Sequence, residues 1–448
     1  MTTRIPFLLI LALIAAVPGW SQATGTDEQP DTPVANDGMM TPPPVSGQAF
    51  PTVTGAETRS NYLSLGVTAG IAYDNNVEAG YSPTPESDMI YSIWPTITMD
   101  LKTPRMREVF NYSPGFSFYQ PNSIFNESDQ NASGSLQYLF GSHASITVQD
   151  AFVRSSSLFN SPFGAEAITG GAPTETTGVL AAFADRISNA ANVQLTDQTG
   201  ESGMFGVSGQ YGQLDYPQSS QVPGLYNSTS WNGAAFSSQR INARQYLGGQ
   251  IQHARIVSFL TGTDNSVQRD NLFGFYTIYL SNSVKSTMSL SVTGGPEHYN
   301  VAQYPESALE AWTPAGTLAF GWQSHLSTLS ASYYHGVTAG GGLPGAYKED
   351  SANAFFRREL TPTWHLNFSG LYARNDNLTP GYPFSEPGGH TIAASASAER
   401  LLSRSLKFQV GYDWMDQSYS GIGALGRLPN SNREYGSITY QRTRPLGR

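Results

Sequence analysis

The stretch 405-SLKFQVGYDWM-415 reads as two interleaved sequences. Leu406, Phe408, Val410, Tyr412 and Trp414 fall on one face of an extended strand, and Lys407, Gln409, Gly411 and Asp413 fall on the other. A soluble sandwich would turn the apolar face to its core, and a membrane barrel would turn the same face to lipid. The alternation admits both, so the solvent on each side is read from the rest of the chain.

Composition favours the membrane. Charged residues make up 13% of the 448, against roughly 25% in ordinary globular chains, while aromatics reach 12% and glycine 45 residues. The formal charge of -10 argues against nucleic acid as a partner, because phosphate binding needs a concentrated basic surface. Past the N-terminus no apolar run is long enough for a transmembrane helix. A low-charge, aromatic-rich chain without such a helix fits a barrel with a greasy outside and a wet inside.

The N-terminus points to export. Arg4 precedes an apolar run from Phe7 to Val17; Pro18 and Gly19 break it, and Ser21-Gln22-Ala23 offers small residues for cleavage. Residues 1–23 are therefore expected to be a signal peptide, since a run of about 11 is short of the roughly 20 that span a bilayer as a helix. The chain has no cysteine, hence no lipoprotein anchor, disulfide or thiolate metal site. Residues 24–58, containing "TDEQPDTPVANDGMMTPPPVSGQ", read as a disordered periplasmic linker able to contact a periplasmic partner. The barrel is expected over 59–448.

From Asn61 the sequence offers about 18 strand-like segments, with 16 as the alternative count, each of roughly 10 to 14 residues where globular strands average five or six. Among them are 61–73, 106–120, 269–280, 284–297, 351–359, 363–375, 404–417 and 432–442. Tight connections such as Lys102-Thr103-Pro104-Arg105, Gly141-Ser142, Ile241-Asn242 and Leu402-Ser403 alternate with longer ones such as 74–87, 155–186, 256–268 and 418–431. This predicts an all-β, transmembrane, up-and-down antiparallel barrel with turns at the periplasmic end and loops outside.

The strand faces agree with lipid. Phe110, Tyr112, Phe116 and Phe118 oppose Asn111, Ser113, Gly115 and Ser117; Trp364, Leu366, Phe368 and Tyr372 oppose His365, Asn367, Ser369 and Ala373. Met288, Leu290 and Val292 oppose Lys285, Thr287, Ser289, Ser291 and Thr293. Small polar residues on the second face suit an aqueous lumen. Tyr91, Trp94, Trp231, Trp312, Trp322 and Trp414 are expected in interfacial girdles.

Three stretches carry a family resemblance. "GIAYDNNV" (Gly70 to Val77), "SGSLQYLFGSHASITVQDAFVRSSSLFN" (Ser133 to Asn160) and "LKFQVGYDWMDQSY" (Leu406 to Tyr419) resemble the outer-membrane β-barrel porin family often associated with exopolysaccharide systems. The resemblance spans most of 60–442 and implies an outer-membrane barrel of transport type. The chain departs from the usual aromatic end by running past Tyr440 through "QRTRPLGR", which leaves Ile438 and Tyr440 as the terminal strand's pattern.

No residue set reads as catalytic. Seven histidines are scattered without an HExxH or other ligand spacing, and Gly206-Val207-Ser208-Gly209 does not make a nucleophile elbow. No enzyme activity, metal or cofactor is expected; Asp185 with His298 and Asp350 with His335 are the pairs a rim site would use. Basic residues such as Lys102, Arg105, Arg240, Arg400, Arg404, Arg442 and Arg444 gather at the periplasmic turns, and acids gather in the outer loops, where they would face cations of the lipopolysaccharide leaflet. Lys285, Arg357, Arg358, Lys407 and Gln409 are the expected pore-lining residues, setting ion selectivity. Loop 155–186 is expected to fold inward by analogy of fold.

Two functions are implied: a porin-like channel for passive passage of small hydrophilic solutes, or a structural or guiding part of an exopolysaccharide export or surface-assembly system. Inward aromatics such as Tyr119, Tyr276 and Tyr334 would favour a polysaccharide partner by stacking on sugar rings. Either way the chain would sit in the outer membrane against lipid and lipopolysaccharide.

Overall fold

In the computed structural model the described residues are 61–78, 84–155, 186–217, 225–260, 263–283, 286–302, 309–338, 343, 345–378, 388–419 and 430–446. The expected signal peptide 1–23 and linker 24–58 lie outside them. Eighteen strands follow one another: β1 Tyr62–Asp74, β2 Asp88–Lys102, β3 Met106–Gln120, β4 Glu127–Phe140, β5 Ala144–Ser155, β6 Arg186–Thr199, β7 Gly203–Asp215, β8 Asn227–Asn242 and β9 Gln245–Leu260 form the first half. The second half is β10 Thr263–Ser283, β11 Ser286–Ala302, β12 Leu309–Ser324, β13 Ser327–Thr338, β14 Tyr347–Thr361, β15 Trp364–Asn377, β16 Gly389–Ser403, β17 Leu406–Tyr419 and β18 Asn430–Pro445.

Each strand pairs antiparallel with the next, and β1 pairs with β18 from Tyr62↔Pro445 to Asp74↔Arg433, so the sheet closes without an edge. Closure is what lets a sheet cross lipid, because every ladder N–H and C=O then has a partner. Among the described residues no helix is long and apolar enough to cross a membrane, so the strands do the crossing.

The tight turns are built as their sequences predict. Gly141 and Gly200 take φ of 76° and 72°, the left-handed region that L side chains avoid. At other turns a side chain caps the backbone: Asn242 Oδ1 accepts from Arg244 N–H at 2.9 Å, and Thr361 Oγ1 accepts from Trp364 N–H at 3.2 Å.

The two faces separate cleanly. Leu65, Ile97, Phe110, Val207, Val292, Phe368, Val410 and Ile438 are exposed on the outward phase, while Ser64, Ser113, Ser117, Thr196, Ser291 and Ser369 are buried on the inward phase. In β17 the opening alternation resolves as lipid on the Phe408 side and the barrel interior on the Lys407 side, since Phe408 pairs with outward Ile438 and Lys407 with inward Thr439.

Two differences from sequence have physical causes. Segment 269–280 extends to Thr263–Ser283 and 351–359 to Tyr347–Thr361, because the ladders continue past the apolar band, where outward residues turn polar (Gln268, Asp270, Lys348, Asp350) and the hydrophobic alternation fades. Trp94 is not in a girdle. It lies three residues from outward Tyr91, hence on the opposite phase, and is buried inside with its ring where a Cβ on Gly115 would sit. Trp231 and Trp312 are exposed on the outside as expected.

Candidate functional site

The interior wall of the barrel carries two polar regions. Toward the end with the short turns, which is the periplasmic end in barrels of this kind, β14 to β17 bring Arg357, His365, Glu399, Lys407 and Gln409 onto one inward patch. The register fixes this: Glu359 is opposite His365, His365 opposite Glu399, and Glu399 opposite Gln409. Lys407 Nζ lies 3.4 Å from Glu399 Oε1, His365 Nδ1 lies 3.9 Å from Glu359 Oε1, and Gln409 Nε2 donates to the Tyr435 hydroxyl at 3.3 Å. Nearby on the wall Arg107 pairs with Asp100 at 2.9 Å. Cations and carboxylates thus alternate laterally on a wetted surface.

Arg357, Lys407 and Gln409 therefore face the interior. Arg358 does not: neighbouring residues on a strand point to opposite faces, so with Arg357 inward Arg358 is outward, exposed, and donates to Ser327 Oγ at 3.3 Å. Lys285 lies outside the described residues, as do residues 156–185 of the loop expected to fold inward.

Toward the opposite end, described residues at the feet of two other connections, those between β7 and β8 and between β13 and β14, reach into the interior. Tyr216 and Leu225 from the first meet Leu343 from the second, with Leu214 of β7, Tyr347 of β14 and Tyr419 of β17, in one buried apolar cluster. Strands β7 and β17 lie on different sides of the barrel, so this cluster reaches across it. Burial pushes the Tyr216 phenol up to about 12, so it stays neutral among these apolar neighbours. A second cluster packs Val337 and Ala346 onto Val267, Tyr299 and Val301 of β10 and β11. The end of β13 is held by polar contacts: Glu297 Oε1 accepts from Val337 N–H at 2.8 Å, and Arg269 donates to the Val337 carbonyl and, at 3.2 Å, to the Tyr334 hydroxyl. Both Arg269 and Glu297 are buried.

A third polar set ties the closing strands together inside. Arg433 of β18 stands between Asp74 of β1 and Asp413 of β17 in the register, with its Nε 3.0 Å from Asp74 Oδ2. Ser431 donates to Asp74 at 2.9 Å and Ser395 to Asp413 at 2.5 Å.

Sequence reading passed over Arg269, Asp74 and Arg433, and it counted Glu297 among the acids of the outer loops, whereas the structure buries that side chain inside. The available signal was an ionisable residue on the inward phase of a strand. Of the aromatics expected to line the lumen, Tyr119 and Tyr334 face inward, bonded to Glu127 and Arg269, whereas Tyr276 pairs with outward Val292 and Leu247. His335 and Asp350 do meet, at 2.7 Å, but on the outward face beside exposed Tyr333; His298 bonds Glu310 at 2.8 Å on the same face, and Asp185 is outside the described residues.

A closed antiparallel barrel with an apolar outside and a polar, charged inside is an outer-membrane β-barrel, porin-like in architecture. No family model and no curated protein matches the chain. Among solved structures it is similar to OccK2 (OpdF) of Pseudomonas aeruginosa, at 11% identity and TM-score 0.43, covering 87% of this chain and 100% of that one. It is also similar to OprD of Pseudomonas aeruginosa, at 11% identity and TM-score 0.38, covering 87% and 97%. The FrpB iron transporter of Neisseria meningitidis aligns at 11% identity and TM-score 0.39, covering 81% and 63%. These are likenesses of barrel form.

Proposed function

We propose that the protein is a channel for the passive passage of small hydrophilic solutes across the outer membrane. The observation that carries this is the interior: a wall of small polar side chains with the charged patch of Arg357, Glu399 and Lys407 on it. No side chain performs chemistry in this reading. Width at the apolar cluster around Tyr216 and Tyr347 and charge at the periplasmic patch do the sorting. Among the described residues inward Tyr119, Tyr334, Tyr419 and Tyr435 are hydrogen-bonded into the wall, and no observation favours the exopolysaccharide role.

The test is single-channel conductance of the refolded barrel in a planar bilayer, with reversal potential in a salt gradient. Stable steps support the channel; a folded barrel that passes no current sinks it. With Arg357→Gln and Lys407→Gln combined, the reversal potential is expected to move toward the cation side, because Glu399 and Glu359 remain on the patch. An unmoved potential removes these residues from selectivity.

Glu297→Ala is expected to loosen the end of β13, where the β13–β14 connection begins, by about 1–3 kcal/mol, since the buried Val337 N–H loses its acceptor. Larger conductance steps or more frequent open events are the expected readout. Identical steps would mean that this connection does not limit flow.

A further inference from the structure

We propose that Arg358, Arg400, Arg442 and Arg444 bind the phosphates of anionic phospholipids at the periplasmic edge of the barrel. All four stand near the ends of β14, β16 and β18 and are exposed. All four are on the outward phase. Arg358 is opposite Leu366, Arg400 is opposite Trp364 and Phe408, Arg442 is opposite Leu65 and Arg444 opposite Leu63.

Their carboxylate neighbours are out of reach by the pleat: Glu359 and Glu399 follow or precede an arginine by one residue and so point inward, where they meet His365 and Lys407. Among the described residues none of the four arginines is in an ion pair. Arg358 has the Ser327 hydroxyl, and the Arg400 guanidinium lies 5.3 Å from the centre of the Trp364 ring. Neither contact neutralises charge. The turn residue Arg404 adds a fifth exposed cation beside them.

The concentration is local. Between β3 and β12 the corresponding outward strand positions among the described residues hold Glu108, Asp197, Gln239 and Trp322, without a cation, and Arg244 is exposed in the β8–β9 turn. An arginine on a greasy wall lays its stem along the apolar surface and presents its guanidinium at the interface. There, a phosphate offers the paired oxygens that the missing carboxylates do not. The level selects the occupant: the guanidiniums flank Leu366, Phe408 and Tyr440, which lipid tails cover, so a water-soluble acidic protein cannot reach them without displacing lipid. Glycolipid of the external leaflet lies at the other edge.

The full-length barrel reconstituted in phosphatidylcholine vesicles with stepwise phosphatidylglycerol is the test, with the lipids retained on the extracted barrel read by native mass spectrometry. The wild type is expected to retain phosphatidylglycerol above its share of the mixture. Combined replacement of the four arginines by glutamine is expected to cut that preference by at least about tenfold, since each basic residue at an anionic surface contributes several-fold. Replacement by lysine is expected to keep most of it, and Arg240→Gln, an inward arginine at the same end, to leave it unchanged. If the fourfold glutamine variant does not fold, R358Q/R400Q and R442Q/R444Q each serve, with a partial loss expected of both. No enrichment in the wild type, equal enrichment in the glutamine variants, an equal loss in Arg240→Gln, or displacement of the lipid by inorganic phosphate alone would each overturn the proposal.

Discussion

Arg433→Ala is expected to destabilise the barrel by about 3–5 kcal/mol, the cost of removing one member of a buried ion cluster and leaving the rest behind. The side chain is 8% exposed and that of Asp74, its partner at 3.0 Å, only 2%. With the guanidinium gone, Asp74 and Asp413 would lie near one another on the inner wall, Asp74 keeping the Ser431 hydroxyl and the Asn76 N–H as donors and Asp413 the Ser395 hydroxyl. The loss falls at the closing seam, since the three residues stand on β17, β18 and β1. Urea unfolding of the barrel in lipid vesicles measures it, with the mobility difference between heated and unheated samples as a check on folding. The double variant D74A/R433A is expected to lose less than the sum of the two single losses, because the partners form one network. An unfolding midpoint unchanged by Arg433→Ala would mean that the seam stands on its backbone ladder alone.

A comparable loss is expected on the other side of the wall from Val410→Arg. Val410 is outward, 42% exposed, and paired with Ala398 and Gly436 on the same face. A guanidinium there must leave water for the apolar band, at roughly 2–4 kcal/mol if it lies near the midplane and less nearer an interface. Gln409→Arg places the same charge one residue away on the inward face, where the lumen solvates it and Glu399 is its neighbour across the strand pair. It is expected to cost little and to move the reversal potential toward anions. Equal unfolding shifts for the two variants would overturn the assignment of faces.

Other features were legible because they depend on local pattern. The period-two alternation in β3, β11, β15 and β17 named the lipid face residue by residue, and short connections at Gly141 and Ile241 against long ones elsewhere gave an up-and-down order. Where that pattern weakened, boundaries slipped, as at the polar upper ends of β10 and β14. Arg357 and Arg358 show a sharper limit. The alternation forbids both from facing the lumen, but only the pairing of Arg357 with Asn367 and of Arg358 with Leu366 says which one does.

The sequence by itself determined the class of fold: strand length, alternation and turn chemistry are properties of contiguous residues, and together they admit a membrane barrel of about 18 strands. Only the tertiary structure decided what fills the inside. Asp74 and Arg433 are far apart in the chain and become partners because β1 closes on β18. Tyr216 meets Tyr347 and Tyr419 because the inward faces of β7, β14 and β17 come together inside the closed barrel, and Val337 is held because β10 and β11 place Arg269 and Glu297 beside it. Contacts across a closed barrel depend on which strands become neighbours and at what register, and no periodicity within one strand carries that information.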